Sequence, residues 1–254
     1  MSTSTINPKI PGVQPLTIVD EDASISIAEL EQRILRTREE HGKLLQQYHE
    51  VWYNAPHTWH YTHFLGIGMM KCPNDLWIYQ ALINDHKPKT IIETGTYAGA
   101  SALWFAFLMD SLQIEDGKIF TIDFEDRVKC NHPRIVFLAG DSTDPRLADA
   151  IREEIQYPLL VSLDADHSAA HVLKELELYA PMCRVGDRLV VEDTNIAWVP
   201  DEEGRYGDRG ARGGVEDYLN LHPNEWRQDP VCERYLLTMN PGGWLERIGE
   251  YKHA

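Results

Sequence analysis

The stretch "KTIIETGTYAGAS", residues 89–101, contains the clearest indication of architecture in the chain. A short run of β-branched residues ends at Gly95, and the apolar helical pattern "ASALWFAFLMDSL" follows at residues 100–112. A buried strand that runs into a helix through a glycine turn is typical of the first unit of a parallel α/β sheet. We therefore expect the sheet to begin here.

Strand and helix patterns alternate on the C-terminal side of this turn. Further strands are predicted at "KIFTIDF" (118–124), "RIVFLAGD" (134–141), "PLLVSLDAD" (158–166) and "DRLVVEDTN" (187–195). Helices are predicted at "DPRLADAIREEI" (144–155), "AAHVLKELELYA" (169–180) and "GGVEDYLNLH" (213–222). This alternation predicts an α/β fold, a doubly wound and mostly parallel sheet with helices on both faces. The segment "ERYLLTMNPGGWLERIG" (233–249) predicts an antiparallel C-terminal hairpin around its "NPGG" turn.

The N-terminal part of the chain has a different character, and we divide the chain into three regions. Residues 1–25 are predicted to be a flexible arm, 26–87 a helical cap and 88–254 the catalytic α/β domain. Ser26 and Glu29 have the spacing of a capping box at the start of an amphipathic helix. The apolar face of this helix needs a partner surface, so we expect a homo-oligomer, a dimer or larger; folding back over the active site is the alternative.

Composition and charge exclude several classes of function. The chain of 254 residues is 43% hydrophobic and 25% charged, which is typical of a soluble globular protein. Its formal charge of -16 disfavours nucleic acid as a partner. We find no apolar run that would span a membrane and no signal peptide, and the four dispersed cysteines form no CxxC pair. We expect a cytoplasmic enzyme that acts on a small molecule.

Acidic residues recur where the predicted strands end. Ligands of such sheets bind outside the carboxyl ends of the strands, so these side chains are expected to share one edge. The acids concerned are Glu93, Asp123, Asp141, Asp164, Glu192 and Asp193. A single strand-end aspartate is usually a turn or helix cap, and Asp141 and Asp144, taken alone, have that interpretation.

The glycine turn predicts the cofactor. Gly95 and Gly99 are spaced GxxxG, which differs from the GxGxxG of dinucleotide sites. Glu93 indicates a cationic group nearby, and S-adenosylmethionine (SAM) has an ammonium group and no phosphate. Asp123 is placed to accept hydrogen bonds from both ribose hydroxyls, with Asp141 near the adenine. The full predicted SAM site is Glu93, Gly95, Thr96, Tyr97, Gly99, Ser101, Asp123, Asp141, Ser142 and Asp164; the alternative is a turn that only packs the helix on the strand.

The stretch "LDADHSAAH", residues 163–171, is rich in possible ligands. Asp164 is expected to face Glu192 and Asp193 across one groove, where three carboxylates repel unless a cation lies among them. Oxygen ligands favour Mg²⁺ or another hard divalent cation. A zinc site through His167 and His171 lacks a third nitrogen or sulfur ligand nearby. Asp166 could contact the substrate or, as we slightly prefer, cap the following helix.

Taken together, these motifs resemble a known group of enzymes. "ETGTYAGAS", Asp123, "DADH" and the paired "ED" resemble the cation-dependent class I O-methyltransferases, such as the catechol and caffeoyl-CoA enzymes. The Glu192–Asp193 pair, with "CPNDLWIYQALI" (72–83) and "LLTMNPGGWLERI" (236–248), is more similar to the cephalosporin hydroxylase family over residues 64–250. This resemblance implies a Rossmann-like SAM methyltransferase fold and a role in natural-product biosynthesis. It also implies magnesium held by Asp164, Glu192 and Asp193.

His167 stands where the catechol-type enzymes have a lysine that acts as general base. Histidine suits removal of a proton from a hydroxyl near neutral pH, so we assign His167 as the catalytic base. The alternative is a structural histidine that orients a ligand carboxylate. The predicted reaction is an SN2 transfer of the SAM methyl group to a hydroxyl oxygen.

The acceptor is expected to be recognised by two segments. These are "HTWHYTHF" (57–64) and the loop "PDEEGRYGDRGARGG" (200–214), which is either a mobile lid carrying Arg205, Arg209 and Arg212 or a solvated loop. Three other classes stay open: a metal-dependent hydroxylase or hydrolase with ligands from "HTWHYTH", a SAM-binding enzyme with non-methylating chemistry, and a non-catalytic partner protein.

Overall fold

The computed structural model of the protein describes residues 25–198 and 209–250. The predicted N-terminal arm, apart from Ile25, and most of the predicted lid lie outside the described residues. The helices are α1 (Ile27–Asn54), α2 (Pro73–His86), α3 (Ala100–Ser111), α4 (Pro145–Arg152), α5 (Ala169–Tyr179) and α6 (Gly210–Leu221). The strands are β1 (His63–Phe64), β2 (Ile67–Gly68), β3 (Thr90–Thr94), β4 (Lys118–Asp123), β5 (Ile135–Ala139), β6 (Leu159–Leu163), β7 (Arg188–Val191), β8 (Trp226–Gln228) and β9 (Trp244–Arg247).

Seven strands form one twisted sheet in the order β5-β4-β3-β6-β7-β9-β8. The first five are parallel, and β9 pairs antiparallel with both β7 and β8. The predicted doubly wound sheet with an antiparallel C-terminal hairpin is therefore confirmed. The order in which strands are added reverses at β3, because β4 and β5 lie on one side of it and β6 and β7 on the other. Such a reversal opens a crevice at the carboxyl ends of the strands.

The core consists of two apolar clusters, one on each face of the sheet. Strand β3 is buried along its whole length and contributes Ile92 to one cluster and Ile91 to the other. Helices α4, α5 and α6 cover the first face, while α2 and α3 cover the second. Helix α2, which the sequence-based division places in the N-terminal cap, contributes Ile78, Tyr79 and Ile83 to this core.

The first strand of the C-terminal hairpin was predicted in the wrong place. It lies at β8. The segment expected to form the strand begins at Glu233, the last residue of a 3₁₀ helix (Pro230–Glu233), and continues as an irregular connection to β9. The backbone of this connection bonds to side chains instead of to a neighbouring strand. Met239 N donates to Asp75 Oδ2 at 2.8 Å, and Gly242 N donates to Glu233 Oε1 at 2.7 Å.

Helix α1 begins as predicted, with Glu29 N donating to Ser26 Oγ at 3.2 Å. One face of the helix contacts its own chain, where Arg38 pairs with Glu233 and Glu31 accepts from Arg227. The expected apolar face is only partly covered: Ile34 is buried, while Leu44, Tyr48 and Val51 are exposed. Among the described residues, no helix combines the length and the hydropathy that crossing a bilayer requires.

Candidate active site

A cleft of about 300 Å³ opens at the carboxyl ends of β3, β4 and β6, beside the reversal in the sheet. Most of the residues predicted for the site line this cleft: Gly95, Thr96, Tyr97, Ser101, Asp123, Asp141, Ser142, Asp164, His167 and Asp193. Glu93, Gly99 and Glu192 lie outside the lining. The helix side of the cleft carries the glycine turn, and the opposite side carries Trp59, Met69 and Met70 from the segment before α2.

The glycine turn is required by the packing of the chain on itself. Gly95 has φ +82, and a Cβ there would lie 1.8 Å from the carbonyl oxygen of Asp164. Gly99 has φ +83, and its Cβ would lie 2.8 Å from Cys130 Sγ. A side chain at Gly95 would therefore separate the ends of β3 and β6. The turn holds the two halves of the cleft together as well as leaving room for a ligand.

Asp123 ends β4 at the wall of the cleft. Its Oδ2 accepts from Tyr97 N at 2.8 Å and its Oδ1 accepts from Glu125 N at 2.9 Å, which fixes the carboxylate. Each carboxylate oxygen has a second lone pair. The side chain can therefore still accept two hydrogen bonds from a ligand, as the ribose assignment requires.

Glu93 lies beneath the turn and is fully buried. Its Oε2 accepts from the Thr121 hydroxyl at 2.7 Å. Burial raises the pKa of Glu93 to about 6, although the charge of Lys71 and the hydroxyls of Ser101 and Thr121 oppose the shift. Glu93 is therefore a carboxylate held close below the floor of the cleft.

The far end of the cleft carries Asp141, Ser142 and His171. Asp141 Oδ1 accepts from both the backbone N and the hydroxyl of Thr143, as in an ordinary turn. His171 Nε2 lies 3.0 Å from Ser142 Oγ and 3.5 Å from Glu175 Oε1. Burial lowers the pKa of His171, but the hydrogen bond and charge of Glu175 outweigh burial and raise it. His171 therefore belongs to a polar cluster on α5.

Three possible ligands converge at the carboxyl ends of β6 and β7. Ligand atoms of Asp164, His167 and Asp193 all lie within 4.8 Å of one another, and His167 Nε2 is 3.3 Å from Asp193 Oδ2. Within residues 25–198 and 209–250 this is the one such group of three. His171 does not join it, as the zinc alternative would need, and the histidines of "HTWHYTH" form no second group there. Asp166 instead accepts from Ser168 N at 2.8 Å, just before α5.

Lys71 was missed by the sequence analysis. Its ammonium is almost wholly buried, and Nζ lies 2.7 Å from both Asp164 Oδ2 and Glu192 Oε1. Burial lowers the pKa of Lys71, but the charges of these two carboxylates outweigh burial and raise it well above its usual range. Tyr79 and Ser162 also donate their hydroxyls to Glu192 Oε1. Glu192 is thus tied to protein donors and stands apart from the group of three.

The carboxylate side chains at this edge of the sheet are suitable ligands for a hard cation. Burial raises the pKa of Asp164 well above its usual range, with Glu192 adding to the shift and Lys71 opposing it. Burial also raises the pKa of Asp193, while His167 opposes that shift. One ammonium faces three carboxylates, so negative charge remains to be balanced. Carboxylate oxygens of Asp164 and Asp193 offer the ligands that Mg²⁺ prefers.

Comparison with known families identifies the chain. The family model described as Rhamnosyl O-methyltransferase/CmcI matches residues 56–248. The chain belongs to this family. A curated rhamnosyl O-methyltransferase of Mycobacterium bovis is 35% identical over 211 residues, which cover 80% of this chain and 84% of the relative. The counterpart from Mycobacterium leprae is 32% identical and is covered over 90% of its length. Family membership confirms the expected class of enzyme, a SAM-dependent methyltransferase.

Solved structures agree with the fold. A CmcI structure described with Mg and SAM has a TM-score of 0.61 and 23% identity, over 78% of this chain and 84% of that chain. A CmcI apo structure has a TM-score of 0.60 and 22% identity. At this level of identity the likeness supports the class I SAM methyltransferase fold alone.

Proposed function

We propose that this chain transfers the methyl group of SAM to a hydroxyl of a rhamnosyl or related sugar in a natural product. One observation carries the proposal. A single cleft has the glycine turn and Asp123 on one side and the group Asp164, His167 and Asp193 on the other. The first side suits a nucleoside and the second suits an acceptor oxygen, so the two reactants would meet between them.

On the nucleoside side of the cleft, different residues would bind different parts of the cofactor. The carboxylate of Asp123 would accept the ribose hydroxyls, and the Asp141–Ser142 end would enclose the adenine. Glu93 is buried beneath the turn, and its negative charge would attract the ammonium of the amino-acid part of SAM. Backbone fixed by Gly95 keeps this floor in place.

Asp164 and Asp193 are the residues that would hold a divalent cation, which we take to be Mg²⁺. When bound, such a cation lowers the pKa of an acceptor hydroxyl and fixes its direction. Lys71 holds Asp164 Oδ2 and Glu192 Oε1, so it orients the first carboxylate and keeps the second at a distance. The sequence-based assignment of Glu192 as a direct ligand is the less favoured part of the predicted set.

His167 would accept the proton of the acceptor hydroxyl at Nδ1, because Nε2 is the ring nitrogen that faces Asp193. Its contact with Asp193 at 3.3 Å orients the ring and favours the positive charge that the ring gains. Loss of this proton to His167 would let the oxygen attack the methyl carbon of SAM in line with the sulfur, with S-adenosylhomocysteine as the leaving group. Trp59, Met69 and Met70 line the same cleft and provide apolar surface against which an acceptor would pack.

The names of the relatives guide the choice of acceptor. The mycobacterial relatives are named for rhamnosyl O-methylation. A relative from Streptomyces olivaceus, 26% identical over 121 residues, is named as a 2'-O-methyltransferase of a rhamnosyl tetracenomycin. We therefore take a deoxysugar hydroxyl as the acceptor.

The test is release of S-adenosylhomocysteine from SAM in the presence of methyl α-L-rhamnopyranoside and Mg²⁺. The proposal expects release that requires the sugar and stops with EDTA. Release that is independent of the sugar, or no release with any rhamnoside while SAM binds, would contradict the assigned acceptor. Full activity after exhaustive chelation would contradict the role of the cation.

The assembly proposed is a homodimer or a larger oligomer. Leu44, Tyr48 and Val51 follow helical spacing on α1 and are between about half and two-thirds exposed. An apolar stripe of this kind on a long helix is stabilised by burial against a second copy.

A further inference from the structure

The segment "TMNPGG", residues 238–243, lies directly before β9, where the sequence predicts only a hairpin turn. Hydrogen bonds connect this segment to the three residues that follow Glu192. Asp193 N donates to Asn240 Oδ1 at 3.0 Å, Asn195 N donates to Met239 O at 3.1 Å, and Thr194 Oγ1 donates to Pro241 O at 2.9 Å. The segment therefore encloses the part of the chain that carries Asp193.

Gly243 allows the segment to come this close to the end of β7. A Cβ at Gly243 would lie 2.1 Å from the carbonyl oxygen of Val191, the last residue of β7. Val191 N donates to Gly243 O at 2.9 Å. The segment is thus fixed on the strand before Asp193 as well as on the residues after it.

Asp193 has an unusual backbone conformation. Its φ is +56, in the left-handed region that residues with a Cβ rarely adopt. This conformation sets the direction of its carboxylate, which lines the active-site cleft within 4.8 Å of ligand atoms of Asp164 and His167. A strained backbone of this kind persists only where neighbouring contacts hold it.

Asn240 provides the contact that holds the backbone of Asp193. It is fully buried, and Oδ1 is the atom that accepts from Asp193 N. Within the described part of the chain, Nδ2 of Asn240 has no hydrogen-bond partner, so the amide acts through its oxygen. The backbone of Asn240 is itself fixed, because its N donates to Thr238 Oγ1 at 2.9 Å and its O accepts from Gly243 N at 2.9 Å.

The opposite side of the cleft contains the same arrangement. Tyr97 also lines the cleft and has a φ of +48. Its backbone N donates to Asp123 Oδ2 at 2.8 Å. In both places a side-chain oxygen accepts from the N–H of a left-handed residue in the cleft wall, which fixes a turn that no strand pairing supports.

We propose that Asn240 is a positioning residue for the cation site. By accepting from Asp193 N, it holds Asp193 in the left-handed conformation that directs the carboxylate towards Asp164 and His167. Asn240 lies outside the lining of the cleft, so it acts through Asp193 alone. This inference rests on the proposed function, because the cation site is part of it. Partners that orient a metal ligand typically contribute about 10–100-fold to metal affinity.

Four variants separate positioning from general stability. Asn240→Leu keeps a similar volume and removes the acceptor, and Asn240→Ala removes it without a branched side chain if Asn240→Leu does not fold. Asn240→Asp keeps an oxygen that can accept from Asp193 N. Asn74→Leu is the matched control. Asn74 Nδ2 donates to Leu237 O at 3.1 Å, so this variant loses a bond to the same connection without changing the contact with Asp193.

The experiment is titration of the full chain with Mn²⁺, a hard divalent cation whose free form is measured by electron paramagnetic resonance. Asp193→Ala shows how much Mn²⁺ binds elsewhere on this acidic chain. We expect Asn240→Leu and Asn240→Ala to raise the Kd of Mn²⁺ by about 10–100-fold. The Kd of S-adenosylhomocysteine, measured without metal, should not change. Asn240→Asp and Asn74→Leu should bind Mn²⁺ no more weakly than wild type, even where urea unfolds them more readily.

The outcomes distinguish this inference from the proposed function. Wild-type Mn²⁺ affinity in folded Asn240→Leu or Asn240→Ala would overturn the positioning role and leave the cation site in place. Equal weakening in Asn74→Leu would also overturn it, because loosening of the whole connection would then be the cause. Wild type that binds Mn²⁺ no better than Asp193→Ala would refute the cation site, and the role of Asn240 with it.

Discussion

At the scale of single residues, Lys71 explains how several carboxylates can share one edge of the sheet. Its ammonium is 2.7 Å from both Asp164 and Glu192 and is shielded from water. Removing one partner of such a buried group leaves charges that nothing compensates. The lysine therefore stabilises the acidic edge whether or not a metal ion is bound.

We expect Lys71→Met to lower the free energy of unfolding by about 3–5 kcal/mol without added metal, because Asp164 and Glu192 lose their buried partner. Added Mg²⁺ should restore more stability to this variant than to wild type. Urea unfolding with and without Mg²⁺ measures both effects. Lys118→Met is the control. Because Lys118 pairs with Glu154 at the surface, this substitution should lower the free energy of unfolding by less than about 1 kcal/mol. Equal stability of Lys71→Met and wild type would contradict the role given to Lys71.

We expect His167→Ala to lower kcat by about 10²–10⁴-fold, with partial recovery at high pH as hydroxide replaces the base. Binding of Mg²⁺ and S-adenosylhomocysteine should persist, because Asp164, Asp193 and the nucleoside side are unchanged. A pH–rate profile together with metal titration is the measurement. His41→Ala, an exposed change on α1, serves as control. Loss of metal binding in His167→Ala would make the histidine a ligand instead of a base.

At the scale of secondary-structure elements, the β3–α3 turn holds β3 against β6. Gly95→Ala should cost about 3–5 kcal/mol and weaken S-adenosylhomocysteine binding, because its Cβ would meet backbone of Asp164 at 1.8 Å. Gly66→Ala is a matched control: its φ of +81 is almost the same, but nothing lies within 4 Å. Gly66→Ala should lower the free energy of unfolding only by the strain of a left-handed alanine, about 1–2 kcal/mol. Similar losses in the two variants, measured by thermal unfolding, would show that the backbone contact is unimportant.

Asp75 joins α2 to the connection before β9 and makes stability depend on pH. Burial raises the pKa of Asp75 from 3.8 to about 7, so the folded state holds a proton that the unfolded state has released. The contribution of Asp75 to stability therefore falls as pH rises from about 4 to about 7 and levels off above that. Asp75→Asn can still accept from Met239 N and should become more stable than wild type across this interval, by roughly 4 kcal/mol at pH 8. A stability difference that does not change with pH would refute the assignment.

The strands and helices were predictable where local pattern and burial coincide. Strand β3 is a short β-branched run, and α3 is a continuous apolar helix. In each, the sequence pattern and the observed burial favour the same secondary structure. The connection before β9 also has an apolar pattern, at Leu236 and Leu237, but its backbone is captured by Asp75 and Glu233. The bond between Met239 and Asp75 joins residues far apart in the sequence, so local sequence patterns could not predict it.

The acidic residues of the candidate site could be predicted from the sequence, but Lys71 could not. Strand ends locate Asp123, Asp164 and Asp193, because parallel strands bring their carboxyl ends to one edge. Lys71 comes from a segment before α2, and only tertiary packing takes it to that edge. The excess of acidic residues at this edge was the feature that could have indicated Lys71, because these carboxylates need a nearby positive charge. The sequence analysis assigned that positive charge to a metal ion alone.

At the scale of the whole molecule, the exposed stripe on α1 predicts assembly. Light scattering of the wild type should give a dimer or larger species. Leu44→Glu combined with Tyr48→Glu should shift it towards monomer, because the substitutions place charge in the apolar contact. Lys43→Glu, an exposed change beside the stripe, is the control. A monomeric wild type with α1 helical would contradict the prediction.

The most direct test of the account follows the methyl group itself. The full chain would be incubated with SAM carrying an isotope-labelled methyl group, Mg²⁺ and 4-nitrophenyl α-L-rhamnopyranoside, and the product examined by NMR. The account predicts a labelled methyl ether on a sugar oxygen, formed by wild type and lost in Asp164→Ala. Label that remains on SAM, or that appears on carbon or nitrogen, would contradict it.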